Sequence, residues 1–189
     1  MPLDDRQLLL GIARGRDDCA RELWSRHGTI LSALARAIVG ESASGDVVQS
    51  ALCRILQSST LQLRAIESVP AWLATLVRYE AANYLRSERR RRSRDRDHHE
   101  SSCHQPALSL GAVPDVDSLW PRVDSLPRRL REVIVLKLVA GMTFDQLALA
   151  LGLNRNTAAA RYRCAMDYLR QSIGSEIQPV SPGDIANAP

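Results

Sequence analysis

The sequence predicts an all-α protein made of two small helical domains joined by a flexible linker. Alternating β-branched runs and Asn-Gly hairpin turns, the usual signals of strands, are missing. Apolar residues instead recur with the spacing of amphipathic helices along most of the chain. Between two such helical stretches lies a polar segment rich in Arg, Ser and His, with almost no apolar periodicity.

The composition agrees with a helical core and narrows the class of protein. Aromatic residues make up 4% of the 189 residues and apolar residues 45%, so the core must be mostly aliphatic. The four cysteines form no CxxC pair, which is typical of a reducing compartment. No apolar run reaches the roughly 20 residues that a membrane span needs. The sequence therefore predicts a cytoplasmic protein without membrane insertion and without a cofactor.

Four amphipathic stretches fill the N-terminal half of the chain. They cover residues 8–12, 23–38, 47–56 and 70–92. Gly40 follows the second stretch, as glycine often does at helix C-termini. Pro70 suits the first turn of the fourth. The polar segment 57–68 between the third and fourth stretches predicts a loop.

Positive charge concentrates at the end of the fourth helix. Residues 86–96 hold seven arginines against Glu88 and Asp95, whereas the whole chain has a net charge of only +4. A basic track of this kind is typical of contact with a nucleic-acid backbone. The same pattern also fits a solvated helix end, so the charge alone does not decide between the two.

A second set of helices begins near residue 119. Pro127 opens a helix that Gly141 ends. Its predicted buried face consists of Leu130, Val133, Ile134 and Leu138.

The segment that follows predicts a helix-turn-helix. Thr143 and Gln146 form a capping box for a short helix that ends at Gly152. Asn154 caps a longer helix that runs to about residue 173. A short helix, a glycine turn and a longer helix are the layout of a DNA-binding helix-turn-helix. The alternative is an ordinary helical hairpin within a bundle.

The outer side of the last helix is the candidate DNA-contacting surface. The predicted inward stripe consists of Ala158, Tyr162, Ala165 and Leu169. The predicted DNA contacts lie opposite or beside it: Arg155, Asn156, Thr157, Ala159, Ala160, Arg161 and Arg163. Asparagine and arginine hydrogen-bond bases and phosphates, whereas alanine offers only contact with a thymine methyl group. We therefore expect a helix with few direct base hydrogen bonds, which depends more on phosphates and DNA shape.

Motifs in both halves of the chain carry a family resemblance. Leu23 to His27 read LWSRH, Asp46 to Ser50 read DVVQS, and Trp72 to Arg92 read WLATLVRYEAANYLRSERRRR. Leu126 to Arg170 read LPRRLREVIVLKLVAGMTFDQLALALGLNRNTAAARYRCAMDYLR. These segments resemble regions 2 and 4 of the extracytoplasmic-function sigma factors, small two-domain specificity subunits of bacterial RNA polymerase. The resemblance covers roughly residues 8–173.

The resemblance implies a role for each half of the chain. Region 2 would bind core polymerase and read and open the −10 promoter element, and region 4 would bind the −35 element through its helix-turn-helix. The implied domains are region 2 at 1–92, a linker at 93–117, region 4 at 118–173 and a disordered tail at 174–189. The implied partners are core RNA polymerase, at its clamp and flap regions, promoter DNA and an anti-sigma factor.

Individual residues carry these implied roles. The implied polymerase-binding residues are Asp46, Gln49, Ser50 and Arg54. The implied −10 contacts are Arg78, Tyr79, Asn83, Arg86, Arg89 and Arg90. Gly45 and Ser50 stand where the family usually has acidic residues, and Tyr79 stands where it typically has Asn. These departures leave the strength of docking and the base preference open.

Other functions are less favoured by the sequence. A stand-alone helix-turn-helix regulator with a helical partner-binding domain is the alternative, but it would have no need of the DVVQS docking face. A nucleic-acid enzyme subunit is a weaker one, because no catalytic triad, carboxylate pair or phosphate loop appears. The HHESSCH segment, 98–104, contains zinc-binding residue types, but its spacing matches no structural zinc motif, so we expect no metal site.

Overall fold

The computed structural model describes residues 3–95 and 120–174, and these residues confirm the all-α fold. Within them the chain forms nine α-helices and one π-helical turn, and no strand. The first five helices are α1 Asp5–Ile12, α2 Asp17–Val39, α3 Glu41–Gln57, α4 Thr60–Arg64 and α5 Val69–Asp95. The others are α6 Trp120–Ser125, α7 Arg128–Ile134, α8 Phe144–Leu151 and α9 Arg155–Gly174, with the π-turn Val135–Val139 after α7. We call 3–95 the N-terminal module and 120–174 the C-terminal module.

The caps predicted for the two helices of the helix-turn-helix are confirmed. In the capping box of α8, Gln146 N donates to Thr143 Oγ1 at 3.2 Å, and Thr143 N donates to Gln146 Oε1 at 2.9 Å. Asn154 Oδ1 accepts from Thr157 N at 2.7 Å and so caps α9. Gly152 between the two helices has φ of +64°, a left-handed conformation that glycine adopts without strain.

A charged cluster holds α1 on α2. The carboxylate of Asp5 lies 3.0 Å from Arg26 Nη1 and 2.8 Å from His27 Nε2. Hydrogen bonds to Asp5 and Glu22 raise the pKa of the Arg26 guanidinium above its ordinary value. The cluster therefore gives the short first helix a fixed position in addition to its apolar contacts with α2.

The loop predicted at 57–68 is wrong for its middle part. Ser59 and Gln62 form a second capping box, which starts the short helix α4. Leu63 in that helix is fully buried, and α4 packs on α1. The polar composition of the segment concealed this apolar anchor, because five residues are too few to show helical periodicity.

The predicted buried face of the helix after Pro127 is wrong at its end. Val133 and Ile134 are buried as expected, but Leu138 is 55% exposed. The π-turn over Val135–Val139 is the cause, since its wider turn changes which side chains face inward. Val135 and Leu136 take the buried positions instead.

The two modules share one hydrophobic core. Helix α2 packs against α7 and the π-turn, and α5 packs against α8. The described residues thus place the predicted promoter-reading helix of one half in direct contact with the predicted helix-turn-helix of the other. The predicted linker beyond residue 95 and the predicted tail beyond residue 174 lie outside the described residues, and so does the HHESSCH segment. Among the helices of the described ranges, none is long and apolar enough to cross a membrane.

Candidate nucleic-acid interface

The inner side of α9 is the one that the sequence predicted. Ala158 and Ala165 are fully buried, and Tyr162 and Leu169 are partly buried against the core. The Tyr162 ring meets the Phe144 ring of α8 edge to face, with centroids 5.8 Å apart. This contact fixes the angle between the two helices of the helix-turn-helix.

The outer side of α9 is exposed as predicted, and its middle carries only the short side chains of Ala159 and Ala160. Asn156, Ala160 and Arg163 are exposed, and Ala159 is half-buried. Arg155 lies 3.6 Å from Asp145, but both side chains are about two-thirds exposed, so this pair is weak. Thr157 and Arg161 are partly buried at the edges of the same surface. Asn156, Ala159, Ala160 and Arg163 thus share the outward side of α9, whereas Thr157 and Arg161 lie beside its buried stripe.

Helix α5 has two distinct polar faces. Tyr79, Asn83, Arg86 and Arg90 follow one another at spacings of three or four residues and therefore share a side. Arg78 and Arg89 lie about 100° around the helix from that side. The six predicted −10 contacts are therefore divided between two surfaces, and the first set alone forms a single stripe.

A polar network supports that stripe. Glu80 Oε2 accepts from Asn83 Nδ2 at 3.3 Å, and Asn83 Oδ1 accepts from Arg86 Nη2 at 2.7 Å. The other oxygen of Glu80 accepts from Arg54 Nε of α3. The Arg54 guanidinium also lies 4.6 Å from the centre of the Tyr79 ring. One network thus connects the predicted polymerase-binding face with the predicted −10 contacts.

The predicted polymerase-binding residues form one exposed face of α3. Asp46, Gln49, Ser50 and Arg54 are all exposed, whereas Val47 and other apolar residues of α3 are buried. This face lines an open groove together with Cys53, Gln57 and Glu80. The groove therefore extends from α3 to Glu80 of α5, the residue next to Tyr79.

Comparison with known proteins identifies the C-terminal module. The family model for sigma-70, region 4 matches residues 118–169. By sequence these residues are similar to sigma-70 region 4, and we call them region 4 from here on. The match places both helices of the helix-turn-helix and most of the exposed α9 face in region 4.

Solved structures extend the likeness to the N-terminal module. One is CnrH in complex with the cytosolic domain of CnrY, with a TM-score of 0.63 at 23% identity, covering 91% of this chain and 98% of that one. Another is the sigma factor RpoE with the anti-sigma factor NepR from Bartonella quintana, with a TM-score of 0.60 at 19% identity, covering 82% and 98%. No curated protein sequence matches significantly. The expected likeness to sigma factors is therefore supported by sequence over residues 118–169, and beyond them it is a likeness of fold.

Arg78 faces region 4, whereas the sequence predicted that it contacts the −10 element. Its guanidinium is turned toward region 4, where Nε donates to Glu132 Oε2 at 2.9 Å and Nη1 donates to the Ala150 carbonyl at 2.7 Å. Arg78 remains a predicted −10 contact, but in this structure its guanidinium is hydrogen-bonded to region 4. Its offset of about 100° from Tyr79 was the signal in the sequence that it faces elsewhere.

Glu132 is a buried charged residue that no pattern in the sequence indicated. It is only 5% exposed and accepts from Arg78 and from Arg128 Nε at 3.1 Å. The spacing of Arg128 and Glu132 indicates an ordinary pair on one helix, so nothing local reveals the second partner. Within the described residues, no group of three or more metal-binding side chains comes together.

Proposed function

We propose that this chain is a sigma factor that binds core RNA polymerase and directs it to promoters. The proposal is supported by the presence of three surfaces in one chain. A region 4 helix-turn-helix with an exposed outer face occurs in the same chain as a basic helix, α5, whose exposed stripe adjoins the α3 groove. A promoter specificity subunit needs all three surfaces, whereas a stand-alone regulator needs only the first.

In this proposal, region 4 reads the −35 element through α9. Asn156 and Arg163 are exposed and supply hydrogen bonds to base edges, and Ala159 and Ala160 allow close approach to the groove. Arg155 and Arg161 at the edges bind phosphates, which sets the register of the helix. With few base contacts, recognition depends partly on DNA shape.

The exposed stripe of α5 reads and opens the −10 element. Arg86 and Arg90 supply positive charge for the strand backbone, and the half-exposed Tyr79 ring offers a flat surface for an unstacked base. Arg54 covers one side of that ring and so holds it in place. Opening needs such stacking because separated bases lose their neighbours in the duplex.

The α3 groove binds the clamp of the polymerase, and region 4 binds its flap. Asp46 and Arg54 give the groove both signs of charge, and Gln49 and Ser50 add hydrogen-bonding groups. These side chains are exposed, so docking requires no rearrangement of the core. An anti-sigma factor is the further partner, a proposal supported by the fold shared with RpoE, which was solved with one.

Reconstitution tests the proposal. The purified chain is mixed with core polymerase and a promoter library, and transcripts are sequenced after separation of the complex by size. We expect a stable complex and initiation at a defined promoter class. If no complex forms and the chain binds duplex DNA equally well without polymerase, the function is that of a stand-alone helix-turn-helix regulator.

A further inference from the structure

Region 4 offers α5 a site that binds an arginine side chain. The carboxylate of Glu132 and the carbonyl of Ala150 both accept from the guanidinium of Arg78, at 2.9 and 2.7 Å. Two acceptors on different helices of region 4 therefore bind one side chain of the N-terminal module. The planar guanidinium is suited to such a divided site, because its Nε and Nη1 atoms each donate to a different acceptor.

The Ala150 carbonyl is available because it lies in the last turn of α8. The last four carbonyls of a helix have no partner within the helix. Backbone N–H groups that follow α8 bond the carbonyls of Ala148 and Leu149. Arg78 bonds that of Ala150, where its positive charge also interacts favourably with the helix dipole. An arginine of one module thus caps a helix of the other.

Glu132 gives the site its dependence on charge. A carboxylate that is only 5% exposed needs bonded cations, because burial without them is costly. Arg128 supplies one from the same helix, and Arg78 supplies the second from the other module. When the modules separate, Glu132 loses one of its two cations.

A second contact between the modules lies at α6. The Arg36 guanidinium of α2 is 4.3 Å from the centre of the Trp120 ring. Its Nη2 atom lies 3.7 Å from Asp124 Oδ2, a longer and weaker pairing than that of Arg78. We call the packing of the two modules against each other the closed arrangement. Its polar contacts are a strong one at Arg78, a longer hydrogen bond of 3.4 Å from Thr75 Oγ1 to the same Ala150 carbonyl, and the weaker pairing at Arg36, in addition to the shared apolar core.

We propose that Glu132 and the Ala150 carbonyl form a binding site on region 4 for Arg78 of the same chain, and that this site and promoter DNA compete for that arginine. The second part rests on the proposed function, in which Arg78 contacts the −10 element. In the closed arrangement Arg78 is bound to region 4, and it becomes available to a DNA phosphate only when the modules move apart.

The test measures the distance between the modules in the free, full-length chain. Cys53 on α3 and Cys164 on α9 are exposed and lie in different modules, whereas Cys19 is buried. With Cys103 replaced by serine, a donor and an acceptor dye on Cys53 and Cys164 report the separation by energy transfer. The variants are Glu132→Gln and Arg78→Gln, each removing one side of the site. Glu22→Gln, which breaks an ion pair within the N-terminal module, is the matched control.

We expect both site variants to lower energy transfer and the control to leave it unchanged. Loss of a hydrogen bond between charged groups should shift the equilibrium toward the open form by roughly tenfold. The double variant should open no further than the more open single variant, because both changes remove the same contact. Circular dichroism shows whether helix content is retained. Unchanged transfer in Arg78→Gln, whose side chain is partly exposed, overturns the proposal even if Glu132→Gln fails to fold.

A second measurement tests the competition. A fluorescent single-stranded oligonucleotide of mixed sequence should bind Glu132→Gln more tightly than the unchanged chain, because Arg78 is released. Arg78→Gln should show no such gain despite opening. Opening without tighter binding in Glu132→Gln overturns the competition and leaves the arginine site in place. Neither result depends on polymerase, so failure here is distinct from failure to form a holoenzyme.

Discussion

Glu80 of α5 forms an ion pair with Arg54 of α3, and the same guanidinium lies over the Tyr79 ring with 4.6 Å between them. The Glu80 side chain is 11% exposed, whereas Arg54 is about half exposed. Glu80 thus fixes the position of Arg54, which lines the α3 groove and contacts Tyr79 of the α5 stripe. Its contribution should appear in stability and in promoter opening.

Glu80→Gln should lower the free energy of unfolding by about 1 kcal/mol, because a partly buried charged hydrogen bond is lost. It should also weaken binding of a melted −10 oligonucleotide, since Arg54 no longer holds Tyr79. Urea unfolding and fluorescence anisotropy measure the two effects. Glu88→Gln is the matched control on the same helix, because its partner Arg92 is exposed and an i,i+4 pair of this kind contributes little. Equal losses in both variants would contradict the assignment.

Two asparagines at the start of α9 should behave differently. Asn154→Ala removes the cap on Thr157 N and should lower the free energy of unfolding by about 1 kcal/mol. Asn156→Ala, two residues later and exposed, should leave stability unchanged and weaken −35 binding. Thermal unfolding and promoter binding, measured on both variants, separate the roles. A stability loss in Asn156→Ala would show that it is structural rather than DNA-contacting.

Arg163→Ala should relax −35 recognition. The side chain is exposed on the outer face of α9, and a base contact of this kind is worth about 1–3 kcal/mol. Competition between promoters with altered −35 bases measures the change in preference. Arg170→Ala, on the last part of the same helix and paired with Asp167, is the control and should leave the preference unchanged. Unaltered promoter choice in Arg163→Ala would remove this residue from the reading face.

Substitution by alanine should have opposite effects on stability at two glycines. A Cβ on Gly11 would lie 2.3 Å from Cys19 Sγ, which is buried, so Gly11→Ala should destabilise the protein by about 1–3 kcal/mol. A Cβ on Gly45 within α3 would meet nothing within 4 Å. Gly45→Ala should therefore stabilise the protein by about 1 kcal/mol, because alanine favours the helix. Urea unfolding of both variants measures the difference, and a stabilised Gly11→Ala would mean that α1 and α2 pack less closely.

The fold class and most helix limits could be predicted because their signals are local. Capping by Asn154 and the Thr143–Gln146 box depends on residues within one turn, and the buried stripe of α9 follows from helical periodicity alone. The same reasoning correctly placed Asn156 and Arg163 outward. It failed at α4, where one buried leucine is too weak a signal, and at Leu138, where the π-turn changes the helical period.

Local sequence was therefore sufficient for most of the helices and for the exposed outer face of α9. The partners of Arg78 and Arg54 depend instead on long-range packing, because Glu132 is 54 residues from Arg78 and Glu80 is 26 residues from Arg54. A helical repeat specifies which residues share a side but not what lies opposite that side. The contact between region 4 and α5 exists only in the folded chain, where a buried carboxylate and the end of α8 meet an arginine of the other module.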